Sequence, residues 1–574
     1  MPERIVLLRR MILLGLAVVT VRLAYLQLIK GGLYHRLSES NRLRLVSEPA
    51  PRGLILDREG RPLASNQRVF RVAVVPQEAK NAHALWARLA SLLHEHPDEL
   101  ARRFEERRFR SFMPVEVASN VPKTSALRIE EERLRLPGVV PEARLSRAYP
   151  LGTVAAHLLG YLGQPSPDAL EVFKRRGMRA PELMGRAGLE QTLDETLQGQ
   201  VGGVLIEVNS RGRQVRTIGL QASQPGETVR LTIDARLQAL IEREFGEQAG
   251  ACVVLAPESG AVLAMVSTPA FDPSAFISDQ SSLVRQMLAD PRAALLNRAA
   301  FGMYLPGSII KPVVALTALA RGVVTPTDTV TCPGFLQIGN RRFHCWNRDG
   351  HGPLSMREAL RESCNVFFLE MGRRLGQERL VEAYRRIGFG HPAGWLLGES
   401  AGYLPSGELQ GGDSAMLAIG QGQILITPLQ AAAMAAALAN GGSLVHPWVV
   451  AQEGDRRLAG APATSLGWNR SQLAVVRDGM RAVVNDPAGT GISAHSDAVV
   501  IAGKTGTAQT GRSTLTHGWF MGFCPADKPI AAFAIVAEFG GTGGGLPAHI
   551  GKAVCEYLAH PDAMEAKTAS GVGG

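Results

Sequence analysis

The central motif of this sequence is Ser308-Ile309-Ile310-Lys311, which opens the apolar segment Val313 to Leu319. The apolar segment predicts a buried helix, and a spacing of three residues puts the serine hydroxyl and the lysine amine on one helical face. A serine at a helix N-terminus lies at the positive end of the helix dipole, and a partly desolvated lysine is neutral enough to accept its proton. The motif therefore indicates nucleophilic catalysis by Ser308 with Lys311 as the base.

Two further segments carry polar groups of the same kind. A lone Ser-x-x-Lys arises often by chance, but Ser363-Cys364-Asn365 is the only Ser-x-Asn of the chain. Lys504-Thr505-Gly506-Thr507 is likewise the only Lys-Thr-Gly, and it lies on a predicted strand. Because all three motifs occur once and in this order, we interpret them as parts of one site.

The three motifs resemble the signature of the penicillin-binding proteins and serine β-lactamases. The hairpin around Arg52 to Gly60 and the stretch Gly185 to Glu190 resemble the N-terminal pedestal of class B penicillin-binding proteins. Leu263 to Pro269 and Tyr304 to Ser308 look most like the elongation-type members. The resemblance covers nearly the whole chain. It implies an α+β multi-domain fold with one N-terminal transmembrane helix, an elongated α+β pedestal, and a transpeptidase domain whose antiparallel sheet is flanked by helices.

The resemblance also implies a role for each motif residue. Ser308 would attack the carbonyl between the two terminal D-alanines of a peptidoglycan stem peptide, with Lys311 as base, and form an acyl-enzyme. Ser363 and Lys504 would relay the proton to the departing amine. The substrate-binding residues would be Asn365, Thr505, Gly506 and Thr507. Backbone amides of Ser308 and Thr507 would form the oxyanion hole, an effect of about 3 kcal/mol per donor.

The resemblance further implies partners and a biological setting. The substrates would be peptidoglycan stem peptides on lipid-linked precursor strands, and the product would be a cross-link made during elongation and rod-shape maintenance. A glycan polymerase of the shape, elongation, division and sporulation family and proteins of the elongation complex would be partners. No organic cofactor is expected, and β-lactams would acylate the serine.

The domain organisation follows from length and hydropathy. A chain of 574 residues is too long for one core. Residues Met11 to Ile29 form an apolar run close to the ~20 residues that cross a bilayer. We therefore predict a cytoplasmic tail at 1–10, an uncleaved anchor at 11–30, a pedestal at 31–225, a transpeptidase domain at 226–560 and a disordered tail at 561–574. Basic residues before the run favour a cytoplasmic N-terminus, so the rest of the chain would lie outside the cytoplasm. The resemblance implies a single-pass protein of the cell inner membrane with its catalytic domain on that outer side.

Composition argues against other classes of protein. The formal charge of +10 comes from 53 Arg and 9 Lys that are spread along the whole chain. Without a basic stripe interleaved with aromatic residues, nucleic-acid binding is not expected. Six cysteines in a chain of this length do not make a disulfide framework.

The C-terminal half shows clear element signals. We predict a helix at Asp234 to Phe245 and a hairpin of Ala251 to Leu255 with Ala261 to Val266. A second helix would follow Thr427 as its N-cap and end near Asn440. Predicted strands return late in the sequence, at Ala498 to Gly503, Trp519 to Phe523 and Ile530 to Phe539. Strands at both ends of this region predict one sheet whose members are far apart in sequence.

A second group of residues points to a metal. Three thiolates and one imidazole make the ligand set of a closed zinc site, and this set occurs at Cys332, Cys345, His351 and Cys364. The resemblance includes zinc-binding members, in which Asp occupies the positions of Cys332 and Cys345. A disulfide between these two cysteines and merely buried thiols are the alternatives, and His344 is an alternative ligand to Cys345. The remaining cysteines, Cys252, Cys524 and Cys555, lie on apolar segments and are expected in the core.

Other functions share the same three motifs. A β-lactamase needs a deacylating Glu, usually followed four residues later by Asn, and no Glu between 370 and 453 has that neighbour. A D,D-carboxypeptidase would use water as acceptor. A non-catalytic β-lactam sensor or scaffold would not need both lysines, and a division-type transpeptidase differs only in biological role.

Overall fold

The computed structural model describes residues 2–30, 32, 43–48, 50–79, 82–107, 114–175, 181–208, 214–277, 281–410, 412–510 and 515–561. Its helices, numbered along the chain, are α1 Pro2–Ala24, α2 Ala82–Leu93, α3 Pro97–Arg107, α4 Lys123–Glu131, α5 Ala156–Leu159, α6 Pro167–Arg175, α7 Gly188–Thr192, α8 Asp194–Gln198, α9 Ala235–Phe245, α10 Ser281–Ala289, α11 Arg298–Phe301, α12 Lys311–Ala320, α13 Met356–Arg361, α14 Asn365–Arg386, α15 Asp413–Met416, α16 Pro428–Ala439, α17 Arg470–Asn485 and α18 Leu546–Ala559.

The strands are numbered in the same way. They are β1 Leu43–Glu48, β2 Ile55–Leu56, β3 Pro62–Val74, β4 Val115–Val121, β5 Val139–Ala148, β6 Leu162–Gly163, β7 Met184–Gly185, β8 Gly202–Val208, β9 Gln214–Gln221, β10 Val229–Leu231, β11 Gly250–Leu255, β12 Val262–Thr268, β13 Val330–Cys332, β14 Phe335–Ile338, β15 Arg341–His344, β16 Gly352–Leu354, β17 Ser443–Leu444, β18 Val450–Glu453, β19 Arg456–Arg457, β20 Thr464–Ser465, β21 Ala502–Gln509, β22 Thr516–Cys524 and β23 Ala531–Ala537. Single turns of 3-10 helix lie at Pro273–Phe276, Gly307–Ile310, Leu417–Ile419 and Ile492–Ala494, and a π-helical turn lies at Tyr25–Ile29.

The chain forms two compact units. The first contains Met1–Gly53, Arg68–Leu145 and Gln198–Gly226, and the second contains Leu54–Gln67, Ser146–Leu197 and Glu227–Gly574. The domain limits given by the sequence remain a prediction. Residues 562–574 of the predicted disordered tail lie outside the described residues.

The first unit begins with the apolar N-terminal segment. Helix α1 continues through the π-helical turn, and Ile5–Ile29 is long and apolar enough to cross a membrane, with a mean hydropathy of 2.1 over its most apolar window. The helix starts before the predicted apolar run because basic residues such as Arg9 and Arg10 continue the helical turn. One membrane-spanning candidate is therefore present at the N-terminus, as the sequence predicts.

The rest of the first unit is a small α+β assembly. Strands β1, β8 and β9 form an antiparallel sheet in that order. The part of β3 that follows residue 67 pairs with β4, and helices α2, α3 and α4 bury Trp86, Leu89, Phe104 and Ile129 with Val72 of β3. The burial pattern of β4 does not alternate strictly, because Val117 and Ala118 are both buried and the two residues after them are both exposed, and the ladder with β3 has register shifts.

A five-stranded antiparallel sheet forms the centre of the second unit. Its strand order is β12-β11-β23-β22-β21, so the first hairpin of the region pairs with the last three strands. This confirms the prediction of one sheet built from both ends of the region. The strands are buried on both faces, which explains why β11 and β23 read as continuous apolar runs.

Helices cover both faces of this sheet. Helices α9 and α18 pack on the face that carries Cys252 and Val254, while α16 packs on the other, with Ala251 and Val253. Helix α9 begins after Asp234, whose carboxylate caps the amides of residues 236 and 237. Helix α16 begins after Thr427 with a capping box and ends at Ala439. Both predicted helices are confirmed.

One predicted strand is displaced. Residues Ala498 to Val500 are not in a strand, and β21 instead runs from Ala502 to Gln509. The ladder with β22 starts only at the pair Ala502 and Phe523, because the chain before it bends to let the Val500 carbonyl accept the amide of Ala526. Apolar content alone did not reveal where the pairing begins.

Candidate active site

The turn that carries Ser308 lies directly against strand β21. Gly307 has a φ of 55°, and a Cβ added to it would come within 2.8 Å of the Thr507 carbonyl oxygen. Its amide donates to the carbonyl of Gly420 at 2.9 Å. Glycine is therefore required at 307, since any side chain there would push the serine turn away from the strand.

Strand β21 is the edge of the central sheet, and this turn lies against it at Thr507. Gln421 Nε2 donates to the Thr507 carbonyl at 3.4 Å, so that carbonyl points away from β22. The amide and carbonyl of one residue in an antiparallel ladder point to the same side. The Thr507 amide therefore also faces the free edge, on the side where the Ser308 turn lies.

Lys311 is fully buried and reaches the second motif. Its Nζ donates to the Ser363 carbonyl at 2.7 Å, to Ser363 Oγ at 3.3 Å and to Asn365 Oδ1 at 2.9 Å. The Phe368 ring lies 5.3 Å from the ammonium. These contacts hold the lysine at the junction of the first and second motifs.

The second motif lies in the tight loop between helices α13 and α14. Ser363 is a non-glycine residue with a φ of 53°, a conformation that costs on the order of 1 kcal/mol. Cys364 is the N-cap of α14, and its sulfur accepts the amide of Phe367 at 3.5 Å. The loop is therefore held in a strained conformation that aims the Ser363 hydroxyl inward.

Lys504 completes the cluster from strand β21. It is fully buried, and its Nζ donates to Ser363 Oγ at 2.8 Å and to the Thr505 carbonyl at 3.0 Å. The Ser363 hydroxyl thus receives hydrogen bonds from two lysine side chains, Lys311 and Lys504. It is the one side-chain oxygen shared by all three motifs among the described residues.

Burial sets the protonation of both lysines. Removal from water lowers the pKa of Lys311 to about 8, while nearby cysteine thiolates oppose the shift. Burial, and then repulsion from Lys311, lowers the pKa of Lys504 well below its ordinary value. Two ammonium groups on one hydroxyl are unfavourable, so the neutral form of Lys504 is favoured, while Lys311, with a pKa of about 8, is mainly protonated at pH 7.

The structure brings together every residue of the three motifs. Ser308 is half-buried on its turn, Gly506 lies against Ile309, and Thr507 is exposed on the edge strand. Among the described residues, no hydrogen bond joins the side chains of Ser308 and Lys311, which the sequence places on one helical face. The Lys311 amine donates instead to Ser363 and Asn365.

The contact between Thr490 and Thr505 is not predicted by the sequence analysis. Thr490 Oγ1 lies 2.8 Å from Thr505 Oγ1, and the same hydroxyl lies 3.4 Å from the Arg361 carbonyl. Thr490 therefore connects the loop before β21 with the third motif and with the residues just before Ser363. No local pattern marks this threonine, because its partners lie 15 and 129 residues away.

Comparison with known proteins identifies the family. Residues 250–556 match the penicillin binding protein transpeptidase domain, and residues 47–231 match the penicillin-binding protein dimerisation domain. The peptidoglycan D,D-transpeptidase MrdA of Escherichia coli is 32% identical over 93% of this chain and 90% of its own length. The chain belongs to the class B penicillin-binding proteins of the elongation type.

Solved structures agree with this assignment. A complex between penicillin-binding protein PBP2 and MreC from Helicobacter pylori matches with a TM-score of 0.77 and 27% identity, over 91% of this chain and 99% of that one. A structure described as structural coordination of polymerization and crosslinking by a peptidoglycan synthase complex matches with a TM-score of 0.75 and 30% identity, over 97% and 98% of the two chains. The α+β multi-domain fold expected of a class B penicillin-binding protein is confirmed.

This penicillin-binding protein also carries a compact cluster of metal-ligand side chains beside the second motif. Ligand atoms of Cys332, Cys345, His351 and Cys364 all lie within 4.8 Å of one another. Cys345 Sγ is 4.0 Å from Cys364 Sγ and 3.6 Å from His351 Nδ1. In a tetrahedral zinc site with Zn–S bonds of about 2.3 Å, neighbouring sulfurs are about 3.8 Å apart. The donor set and its spacing therefore fit zinc.

The environment of the cluster favours the thiolate form of Cys345. The hydrogen bond from Cys364 lowers the pKa of Cys345 and raises that of Cys364, so one proton is shared by the two sulfurs. The amide of Asn365 donates to Cys345 Sγ at 3.4 Å. Backbone donors to the ligands are the usual support of a metal site.

Two sequence alternatives for this region are decided by the structure. Cys332 and Cys345 are free thiols, so the alternative of a disulfide between them is wrong here. His344 is exposed on β15 with its ring against Phe335, and it is Cys345 that joins the cluster. The expectation for Cys252, Cys524 and Cys555 is confirmed, since all three are buried in the core.

Proposed function

We propose that the three motifs form the acyl-transfer site of this protein. As a class B penicillin-binding protein of the elongation type, the chain is a serine-type peptidoglycan D,D-transpeptidase. The observation that carries the residue assignment is the convergence of Lys311 and Lys504 on Ser363 Oγ beside the turn of Ser308.

Acylation follows from these positions. Ser308 Oγ attacks the carbonyl between the terminal D-alanines, and its proton passes to the neutral amine of Lys311. The developing oxyanion is bound by the amides of Ser308 and Thr507, each contributing about 3 kcal/mol. Lys504 and the hydroxyl of Ser363 return a proton to the departing D-alanine nitrogen. The C–N bond breaks and an ester at Ser308 remains.

Substrate binding is assigned to the edge strand. Thr505 and Thr507 bind the terminal carboxylate of the stem peptide, Gly506 lets the peptide backbone approach the strand, and Asn365 holds the substrate amide. The free edge of β21 supports this assignment, because an extended peptide adds to such an edge through main-chain hydrogen bonds.

Acylation of Ser308 is tested directly with a fluorescent penicillin and mass spectrometry of the adduct. Wild-type protein is expected to carry the adduct on Ser308, and Ser308→Ala is expected to carry none. The exposed Ser471→Ala variant is the matched control, and it should label like wild type. An adduct on another residue, or undiminished labelling of Ser308→Ala, would refute the assignment.

Zinc is proposed as a structural cofactor held by Cys332, Cys345, His351 and Cys364. When bound, zinc would cross-link the loops that carry these ligands and so brace the Ser363 loop through Cys364. Metal analysis of protein purified without chelator should find about one equivalent of zinc. Less than about 0.3 equivalent would contradict the proposal.

The biological setting is proposed from the relatives. The Helicobacter pylori relative is solved in complex with MreC, and another relative in a peptidoglycan synthase complex. We infer that this protein acts in cell elongation on stem peptides of lipid-linked strands, together with a glycan polymerase of the shape, elongation, division and sporulation family. Depletion should make rod-shaped cells round, whereas filamentation would favour the division-type role.

The domain limits and orientation remain proposals as well. Family matches at 47–231 and 250–556 support a pedestal followed along the chain by a transpeptidase domain, with the change between residues 231 and 250. The apolar helix Ile5–Ile29 supports a single-pass anchor in the inner membrane with the catalytic domain outside the cytoplasm. Protease protection of a tag at each end would test the orientation.

A further inference from the structure

Trp346 is a large apolar side chain left exposed beside the second motif. It follows Cys345 of the metal-ligand cluster, and 57% of its surface is accessible. A single exposed apolar side chain needs no explanation by itself, so it is the position of this indole next to the second motif that makes it a candidate contact for a ligand.

The indole is held in a fixed position. Its Nε1 donates to the carbonyl of Glu362 at 2.9 Å, and the ring packs edge-on against His351 at 5.2 Å. Glu362 directly precedes Ser363, and the Asn365 amide donates to the sulfur of Cys345, the residue before Trp346. The ring is therefore hydrogen-bonded to the residue before Ser363, which fixes its position beside the second motif.

The indole is attached to the loop that carries Ser363 and not to strand β21. One wall of the site is the edge strand, where Lys504 and the two threonines are proposed to bind the acyl donor. The other wall is the loop of residues 362–365 with Trp346 on it, and the two walls meet where Lys504 Nζ donates to Ser363 Oγ. Once a donor occupies the strand, the second wall remains for the molecule that attacks the acyl-enzyme.

We propose that Trp346 is a specificity-determining contact for the acyl acceptor, binding the alkyl chain that carries its attacking amine. This inference rests on the proposed function of the three motifs. Tryptophan is the best aromatic partner for an alkylammonium group, and its face also packs against methylene groups. Water has neither an alkylammonium group nor methylene groups, so the ring favours aminolysis of the acyl-enzyme over hydrolysis.

Transfer to the acceptor forms one bond at the amine and breaks one bond at Ser308. The neutral amine attacks the ester carbonyl at Ser308, a C–N bond forms, and the C–O bond to Ser308 Oγ breaks. One amine proton passes through the Lys311 and Ser363 cluster to Ser308 Oγ, which restores the free hydroxyl. Trp346 holds the acceptor and touches no bond that changes.

The test compares two acceptors on the full-length protein in detergent. A stem pentapeptide ending in D-Ala-D-Ala is the donor, and Nα-acetyl-lysine amide or glycine amide is the acceptor. Chromatography with mass spectrometry measures transferred and hydrolysed products. Wild type should prefer the alkyl amine over glycine amide by about fivefold or more.

Two variants separate the ring from its anchor. Trp346→Gln keeps a side-chain N–H and loses the ring, so its preference should fall to about twofold or less, while Trp346→Phe keeps a ring and should retain most of it. Penicillin acylation should stay within about twofold of wild type in both. Phe301→Ala, which removes another exposed aromatic residue of the second unit, is the matched control and should keep the preference.

The outcomes distinguish failure of the inference about Trp346 from failure of the proposed function of the three motifs. A preference retained by Trp346→Gln, or lost equally by Trp346→Phe, overturns the inference about the ring. So does a wild type with no preference for the alkyl amine, whatever the variants do. A wild type that is not acylated at Ser308 by donor or penicillin overturns the proposed function instead.

Discussion

The buried position of Lys311 makes acylation depend on pH in a way that the structure quantifies. Burial lowers the pKa of this amine to about 8, and only the neutral form accepts the proton of Ser308. The neutral fraction is about 9% at pH 7, half at pH 8 and about 91% at pH 9, so the acylation rate constant should rise about tenfold from pH 7 to 9.

Stopped-flow fluorescence with a labelled penicillin measures this profile on full-length protein. Lys311→Arg should show no acylation at any pH, because arginine stays protonated in proteins. The exposed Lys528→Arg variant is the matched control and should reproduce the wild-type curve. A profile that is flat between pH 6.5 and 9, or that falls as pH rises, would refute the assignment of Lys311 as base.

Three further predictions concern the cluster, the third motif and a buried carboxyl group. Cys332→Ser should lose bound zinc by metal analysis and should unfold at a lower temperature by scanning calorimetry; unchanged zinc content would exclude Cys332 as a ligand. Thr490→Val removes a hydrogen bond to Thr505 worth ~1 kcal/mol and should slow penicillin acylation about fivefold, while Thr490→Ser should restore it. Burial raises the pKa of Glu242 to about 7, although it accepts the Ala155 amide. The neutral carboxyl group of Glu242 stabilises the fold at pH values below the pKa that this group has in the unfolded chain. That stabilisation is lost as the pH rises through about 7. Glu242→Gln should therefore be more stable than wild type to urea at pH 8 by about 3 kcal/mol, with little difference at pH 4; equal stability at pH 8 would contradict this.

Much of the second unit could be predicted from local patterns. The cap Asp234, the capping box at Thr427 and the hairpin of β11 and β12 are properties of neighbouring residues, and each is present in the structure. The start of β21 was predicted four residues early, because pairing with β22 depends on a partner strand and not on apolar content.

The sequence predicts which residues form the site, but it does not predict which hydrogen bonds they make with one another. Serine, lysine, asparagine and threonine in three unique motifs specify an acyl-transfer chemistry, since few other functions need those groups in that order. The sequence does not say that both lysines donate to Ser363 Oγ, or that Thr490 meets Thr505.

The amino-acid sequence by itself determined the chemistry of this protein, the apolar anchor and the helices and strands whose signals are local. The tertiary structure alone decided which groups touch: Lys311 with Ser363, Cys345 and not His344 in the thiol cluster, and Trp346 fixed to Glu362. The physical reason is range. Caps, turns and periodic burial depend on residues a few positions apart, whereas these contacts form only when a sheet built from distant strands closes around the loop between α13 and α14.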